Sequence, residues 1–281
     1  MKKKLLALGL ALSMCFSLVA CGSDKKDEKK DESGQSASSS DDLAKIQDKG
    51  TLVIGVTDFE PMDYKDDKGE WIGFDADVAA SFCESLGVEA KFVEIDWDNK
   101  ILELEAGTID CVWNGMTLTD EVTSAMSCSN AYCNNAQIVI LPKDKADQYK
   151  TVEDMKGLVF AVEAGSAGES EAKANGLEYT AVNNQASALM EVAAGTSDAA
   201  IIDSLMAAAM VGDGTSYENL TYTVALNSEE YGVGFRKGSN LTEKLNAFLI
   251  SAYEDGTLQK IAETYGVQAA LIDQTANKTA E

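Results

Sequence analysis

The 281-residue chain contains no histidine and a single arginine, Arg236. The first absence removes Ser-His-Asp triads and His-containing zinc sites from consideration. The second means that a bidentate clamp on a carboxylate or phosphate must use Arg236 or be built from something else. Basic residues are scarce altogether: 23 Lys and Arg stand against 47 Asp and Glu. The first 20 residues hold three of the lysines and no acid, so the remainder carries 20 basic against 47 acidic residues, a formal charge of −27. Such a surface repels nucleic acid and anionic lipid, and no nucleic-acid partner is expected. The cysteine spacing suggests no metal site, and no cofactor is expected.

What is present begins with a leader. Lys2, Lys3 and Lys4 precede an apolar run from Leu5 to Ala20, which ends in Leu18-Val19-Ala20 before Cys21. A charged start, a short apolar stretch and small residues before a cleavage point make a secretory signal over 1–20. The run is short for a stable membrane span. The Leu-Val-Ala-Cys order resembles the lipobox of bacterial lipoproteins, which implies that Cys21 is diacylated and becomes the N-terminus. Acyl chains, not a basic patch, then hold the protein at the extracellular face of the cytoplasmic membrane. Residues 22 to about 42 are Gly, Ser, Asp, Glu and Lys with almost nothing to bury. Residues 21–48 are therefore assigned to the lipidated cysteine and a disordered tether.

Beyond Cys21 the cysteines are Cys83, Cys111, Cys128 and Cys133. An even count outside the cell allows two disulfides. Cys83 and Cys111 lie in apolar runs and are expected to be buried thiols; Cys128 and Cys133 are left open.

Apolar β-branched runs then alternate with amphipathic ones. Strands are expected at 51–56, 90–94, 109–113, 137–141, 158–162, 178–182, 199–202, 220–226 and 232–235. Helices are expected from Phe74 to Gly87, with Phe74, Val78, Phe82 and Leu86 on one face, and at 99–106, 151–155, 185–194, 203–211, 241–254 and 258–265. Another begins at Ser166. This alternation implies an α/β fold with mostly parallel sheets, in two series and hence two lobes.

In open α/β sheets ligands sit at the carboxyl ends of strands. The loops there carry Asp58-Phe59-Glu60, Asp96-Trp97-Asp98, Asn114-Gly115-Met116-Thr117, Gly165-Ser166-Ala167-Gly168 and Asp203. Aromatic rings can stack on an organic ligand or cation, and a carboxylate can hold an ammonium. Ser166 and Glu169 fit a capping box, and the same helix start can receive an anion. Trp113 and Met116 are expected in the core.

In order along the chain, the motifs KGTLVIG (49–55), GFDADVA (73–79), LEAGTID (104–110) and NGMTLTDE (114–121) resemble an extracellular solute-binding protein of the amino-acid ABC-transporter class, family 3. So do SNAY (129–132), Gly165-Ser166, DAAIIDS (198–204), YGVGFRKG (231–238) and DGTL (255–258). The resemblance covers about residues 48–267. It implies a two-lobed periplasmic-binding-protein-like (type II) fold. Lobe 1 would be 49–136 plus 229–270, lobe 2 would be 137–228, and 271–281 a C-terminal tail. Hinge strands would lie near 137–140 and 231–235. It further implies a monomer that captures a small solute, closes, and docks on an ABC permease in the membrane.

Carried over by position, Asp203 meets the ligand ammonium. Gly115 and Thr117 face its carboxylate with N–H and hydroxyl groups, Ser166 and Ala167 do so from the other lobe, and Phe59 and Trp97 flank its side chain. Asp58 and Asn114 complete the expected ligand-binding set. Two positions depart from the family: the arginine that clamps the ligand carboxylate is replaced by Val122, and the usual Thr after Gly-Ser by Ala167. Arg236 falls in the hinge motif and is expected to face solvent; Lys100 is a candidate substitute. Asp58, Glu60, Asp96, Asp98 and Asp203 make the pocket acidic. A polar or basic amino acid, or a related amine, is the ligand this favours. A solute sensor without transport shares every feature used. A cyclohexadienyl dehydratase-like enzyme is the other alternative, but a pocket with no His or Arg suits a dianionic ring poorly, so no enzymatic activity is expected.

Overall fold

The computed structural model describes residues 41–277. The signal 1–20, Cys21 and the tether through residue 40 lie outside the described residues. Helix α1 (Asp42–Lys49) opens the fold, with Asp41 capping its start and Gly50 its end. This corrects the tether assignment of 21–48 over its last seven residues. Composition hid the reason: a polar segment needs only one apolar anchor to dock, and Ile46 is buried in the core. Asp42 is buried too, against Arg236 Nε at 3.4 Å.

The chain continues through β1 (Thr51–Val56), the small hairpin β2 (Tyr64–Lys65) and β3 (Trp71–Ile72), α2 (Phe74–Leu86) and β4 (Glu89–Glu94). Then come α3 (Lys100–Ala106), β5 (Cys111–Thr117), α4 (Asp120–Ala125), β6 (Ser127–Cys128) and β7 (Cys133–Asn135). On α2 the expected face buries Phe74, Val78 and Phe82. Each such side chain contributes about 1.5–3 kcal/mol by leaving water.

A second run follows: β8 (Gln137–Pro142), β9 (Val159–Glu163), α5 (Ala167–Ala174), β10 (Glu178–Val182), α6 (Gln185–Ala194), β11 (Ala199–Asp203), α7 (Ser204–Met210) and β12 (Leu220–Ala225). The chain returns through β13 (Glu229–Phe235) and ends in α8 (Leu241–Glu254) and α9 (Thr257–Tyr265). The tail is tied to the body: Leu271 bridges Cys133, and the Ile272 N–H donates to Tyr132 O at 2.9 Å.

Two sheets result, and each belongs to one lobe of a two-lobed α/β fold. The first has the order β4-β1-β5-β13-β6, with β7 also beside β13; the second has the order β10-β9-β11-β8-β12. Both are mixed. β1 runs parallel to β4 and β5, but β13 is antiparallel to β5. β9 runs parallel to β10 and β11, but β8 is antiparallel to β11. The expectation of mostly parallel sheets thus fails at one strand in each. Those strands, β8 and β13, are where the chain enters one sheet after leaving the other, which reverses their direction. The expected hinge segments 137–140 and 231–235 are paired within single sheets, so the links between the sheets are Ala136 and residues 226–228.

Arg236 does not face solvent. Its Nη1 donates to Ile109 O at 2.9 Å and its Nη2 lies 3.3 Å from Asp110, joining β13 to the loop before β5. The four cysteines of the described residues are free thiols. Burial pushes the Cys83 thiol up to about 12, which makes it inert.

Candidate functional site

The carboxyl ends of β5, β9 and β11 converge on a cavity of about 220 Å³ between the two sheets. Phe59, Trp97, Asn114, Gly115 and Thr117 line it from the first sheet, and Ser166, Ala167 and Asp203 from the second. Eight of the nine expected ligand-binding residues are therefore brought together. The ninth, Asp58, is not: its side chain is exposed, because the backbone after β1 turns to pair Phe59 with Asp63 and sends the neighbouring carboxylate outward. Asp96 and Asp98 are exposed as well. The negative charge of the cavity comes instead from Asp203 and Glu163, with Asp120 and Glu121 beside them.

Asp203 ends β11 and is 3% exposed. Its Oδ1 accepts from Gln137 Nε2 at 2.8 Å and from Asn135 Nδ2, and its Oδ2 accepts from Gln185 Nε2. The same two amides, Asn135 and Gln137, also donate to Glu229 Oε1, at 2.6 and 2.8 Å. Asn135 closes β7, Gln137 opens β8 and Glu229 opens β13. The network thus fastens the cavity floor to both crossings between the sheets. Burial, then the Glu229 charge, pushes the Asp203 carboxyl up to about 8.

Glu163 ends β9 just as Asp203 ends β11, and it too is 3% exposed. Its Oε1 is buried with no hydrogen-bond partner among the described residues. Burial and the nearby Asp203 charge push its carboxyl up to about 8, opposed by Lys100 and by the Gln185 and Thr57 side chains. Glu163 directly follows the expected strand 158–162, and the loop reading passed over it to Gly165 and Ser166. The strand-end rule that found Asp203 would also have found it.

The expected carboxylate cradle is otherwise engaged. The Gly115 N–H donates to Asp75 Oδ2 at 2.6 Å and so points away from the cavity into lobe 1. Gly115 itself is required: at φ +50° its backbone suits glycine, and a Cβ would stand 2.5 Å from the Phe59 ring. The Thr117 hydroxyl donates to Glu229 at 2.9 Å. The Asn114 amide donates to Thr57 O at 3.1 Å and Asp63 at 2.8 Å while its oxygen accepts from Thr57. Its role is to hold the loop after β1 against β5. Ser166 caps α5 by accepting from the Glu169 N–H at 3.1 Å, and the Glu169 carboxylate accepts from the Gly165 N–H at 2.9 Å.

Val122, at the position of the missing arginine, is 3% exposed and packs with Trp97 and Met116 in the cavity wall. Met116 is core and wall at once. Lys100 does reach the cavity. Its ammonium donates to Gly165 O at 2.8 Å and Trp97 O at 3.2 Å and lies 5.0 Å from the Trp97 ring centroid. Burial lowers its pKa, and the nearby carboxylates, including Glu121 and Glu163, oppose that. The Lys100–Gly165 bond joins the two sheets across the cleft. Gly165 is also where they touch: a Cβ there would lie 2.6 Å from Asp98 Cα.

A cavity lined by two aromatic rings and two buried carboxylates can hold a small organic cation. Comparison with known proteins agrees with a binding site. The sequence profile of bacterial extracellular solute-binding proteins, family 3, matches residues 52–268. The arginine-binding extracellular protein ArtP of Bacillus subtilis (strain 168) is 30% identical over 94% of this chain and 98% of its own length. The L-cystine-binding protein TcyJ of Escherichia coli (strain K12) is 28% identical over 79% of this chain and 85% of its own. A solved ABC uptake transporter substrate-binding protein from Streptococcus pneumoniae with bound histidine is 31% identical, with a TM-score of 0.75 over 82% of this chain and 98% of that one. An ancestral amino acid-binding protein, a precursor of cyclohexadienyl dehydratase, is 33% identical with a TM-score of 0.73, over 80% of this chain and 99% of that one. With its profile match spanning most of the chain and its site at the junction of two α/β lobes, the chain belongs to family 3 of the bacterial extracellular solute-binding proteins.

Proposed function

We propose that this protein is the receptor of an ABC importer, capturing an amine-bearing solute, an amino acid or a related amine, and presenting it to a membrane permease. The observation that carries the solute class is the pair of buried carboxylates, Glu163 and Asp203, at the ends of parallel strands β9 and β11 in one cavity. Relatives named for arginine and for cystine support an amine-bearing solute. Asp203 is the ammonium partner. Lobe 1 comprises 49–136 with 229–270 and lobe 2 comprises 137–228; they close by a hinge motion at the links between them. The protein works as a monomer, held at the outer face of the cytoplasmic membrane by lipid on Cys21.

An acidic, histidine-free cavity suits capture better than turnover of a dianionic ring substrate. A thermal-shift panel of the common amino acids, polyamines and small betaines tests the reading. A solute at a hundred times its dissociation constant stabilises by about 2.7 kcal/mol. A clear upward shift with at least one amine-bearing member is expected; no shift across the panel contradicts the solute class.

A further inference from the structure

The geometry points to a solute that is an amine without a carboxylate, its ammonium held between Asp203 and Glu163. This rests on the receptor reading above and narrows it.

The cavity is rich in acceptors. A carboxylate has about four acceptor positions. Asp203 accepts from Asn135, Gln137 and Gln185, has the Tyr231 hydroxyl beside it, and lines the cavity. Glu163 Oε1 is buried, unpartnered and on the same cavity. A buried carboxylate oxygen with no donor is costly unless a cation supplies one. Asp120, Glu121, Glu163 and Asp203 line the cavity against the single ammonium of Lys100. That excess favours a ligand with positive charge of its own.

Several donors that line the cavity are already engaged within the scaffold. The Gly115 N–H is engaged by Asp75, the Thr117 hydroxyl by Glu229, and the Asn114 amide by Thr57 and Asp63. Lys100 is turned onto two carbonyls and faces the charges of Glu121 and Glu163. The start of α5 already holds the Glu169 carboxylate, at 2.9 Å from the Gly165 N–H. A second anion there meets repulsion instead of an unopposed helix end. Val122 presents methyl groups to the cavity. A ligand carboxylate would be desolvated without an equivalent partner, whereas an ammonium finds two carboxylates.

The test is calorimetric titration of the purified protein with three pairs that differ only by a carboxylate: L-ornithine and putrescine, L-lysine and cadaverine, L-arginine and agmatine. The amine is expected to bind at least tenfold more tightly than its amino acid in at least one pair. A smaller ratio in every pair, with amino acids binding, overturns this inference and leaves the receptor reading in place. No binding by any of the six overturns this inference, and the receptor reading falls with it only if the whole thermal-shift panel is also silent. Glu163→Gln keeps the shape and removes the charge, so it should weaken the amine at least tenfold with no fall in the ligand-free melting temperature. Unchanged affinity in that variant overturns the role of Glu163.

Discussion

Among the described residues, two pairs of carboxylates are buried away from Arg236, Asp63 with Asp75 and Glu163 with Asp203, and they differ in what they face. Asp63 and Asp75 are fully buried inside lobe 1. Their acceptors look inward: Asp75 takes the Gly115 N–H and the Tyr132 hydroxyl at 2.7 Å, and Asp63 takes the Asn114 amide. They hold the loop after β1 and the bend at Gly115 in place. Glu163 and Asp203 are as deeply buried, but they end strands at the cleft and line the cavity. Raised carboxyl pKa values mark both pairs. Burial is the main cause in each case, so a shifted pKa does not distinguish scaffold from site; the direction of the open acceptor does.

The largest effect expected from breaking this contrast is at Asp203. Asp203→Ala removes the ligand's ammonium partner and leaves the Gln185 amide without its acceptor, while Asn135 and Gln137 keep Glu229. Losing one member of a buried hydrogen-bonded charge pair costs about 2–5 kcal/mol. Affinity measured by calorimetry should fall at least a hundredfold.

The next is at the touching point of the lobes. Gly165→Val places side-chain atoms against Asp98 and forces the closed cleft apart. Solute affinity should drop about tenfold or more, since each tenfold corresponds to about 1.4 kcal/mol of closure. The ligand-free melting temperature should fall as well, because Gly165 holds φ +70°, which a β-branched residue adopts only under strain.

Affinity for an amine should also depend on pH. Burial pushes the Glu163 and Asp203 carboxyls up to about 8, and they must be ionised to hold a cation. Below that value binding releases protons, so affinity should rise from pH 6 to pH 8, by about tenfold per unit for each proton released. It should level off above pH 8 while the amine stays charged. The groups facing these two acids, Lys100, Gln185, Thr57 and Glu229, set the midpoint. A flat profile between pH 6 and pH 8 would contradict the assignment.

Stability of the ligand-free protein should move the other way. A carboxyl whose pKa is raised on folding binds more protons folded than unfolded. Its contribution is most favourable below its unfolded pKa and is lost as pH climbs toward the folded value. Asp75 at about 7 and Glu163 and Asp203 at about 8 all act in this sense. The melting temperature should therefore fall between pH 5 and pH 8, and a bound amine should restore it. Asp75→Asn should flatten part of that slope while changing solute affinity less than threefold, the smallest effect in the series.

The parts of this picture legible in the sequence were those with local causes. The periodicity of α2 and of α8 and the apolar runs of β5 and β11 place the core. Asp203 was legible because a lone acid after four apolar strand residues stands at a sheet's carboxyl end. Glu163 obeys the same rule, directly after the expected strand 158–162. The fate of Gly115 and Thr117 was not legible, because their partners Asp75 and Glu229 lie 40 and 112 residues away. Whether an N–H faces a ligand or the scaffold is decided by such distant acceptors. Arg236 was misjudged for the same reason, since its partners Asp42 and Asp110 come together only in the fold.

The most direct measurement sets the two carboxylate pairs against each other. Asp203→Asn and Asp75→Asn each remove one buried charge at nearly constant shape, and calorimetry at pH 8 with the tightest-binding amine compares them with the unaltered protein. Affinity should fall at least thirtyfold for Asp203→Asn and stay within threefold for Asp75→Asn. Equal losses in both, or full affinity in Asp203→Asn, would contradict the claim that the cleft acids hold the solute.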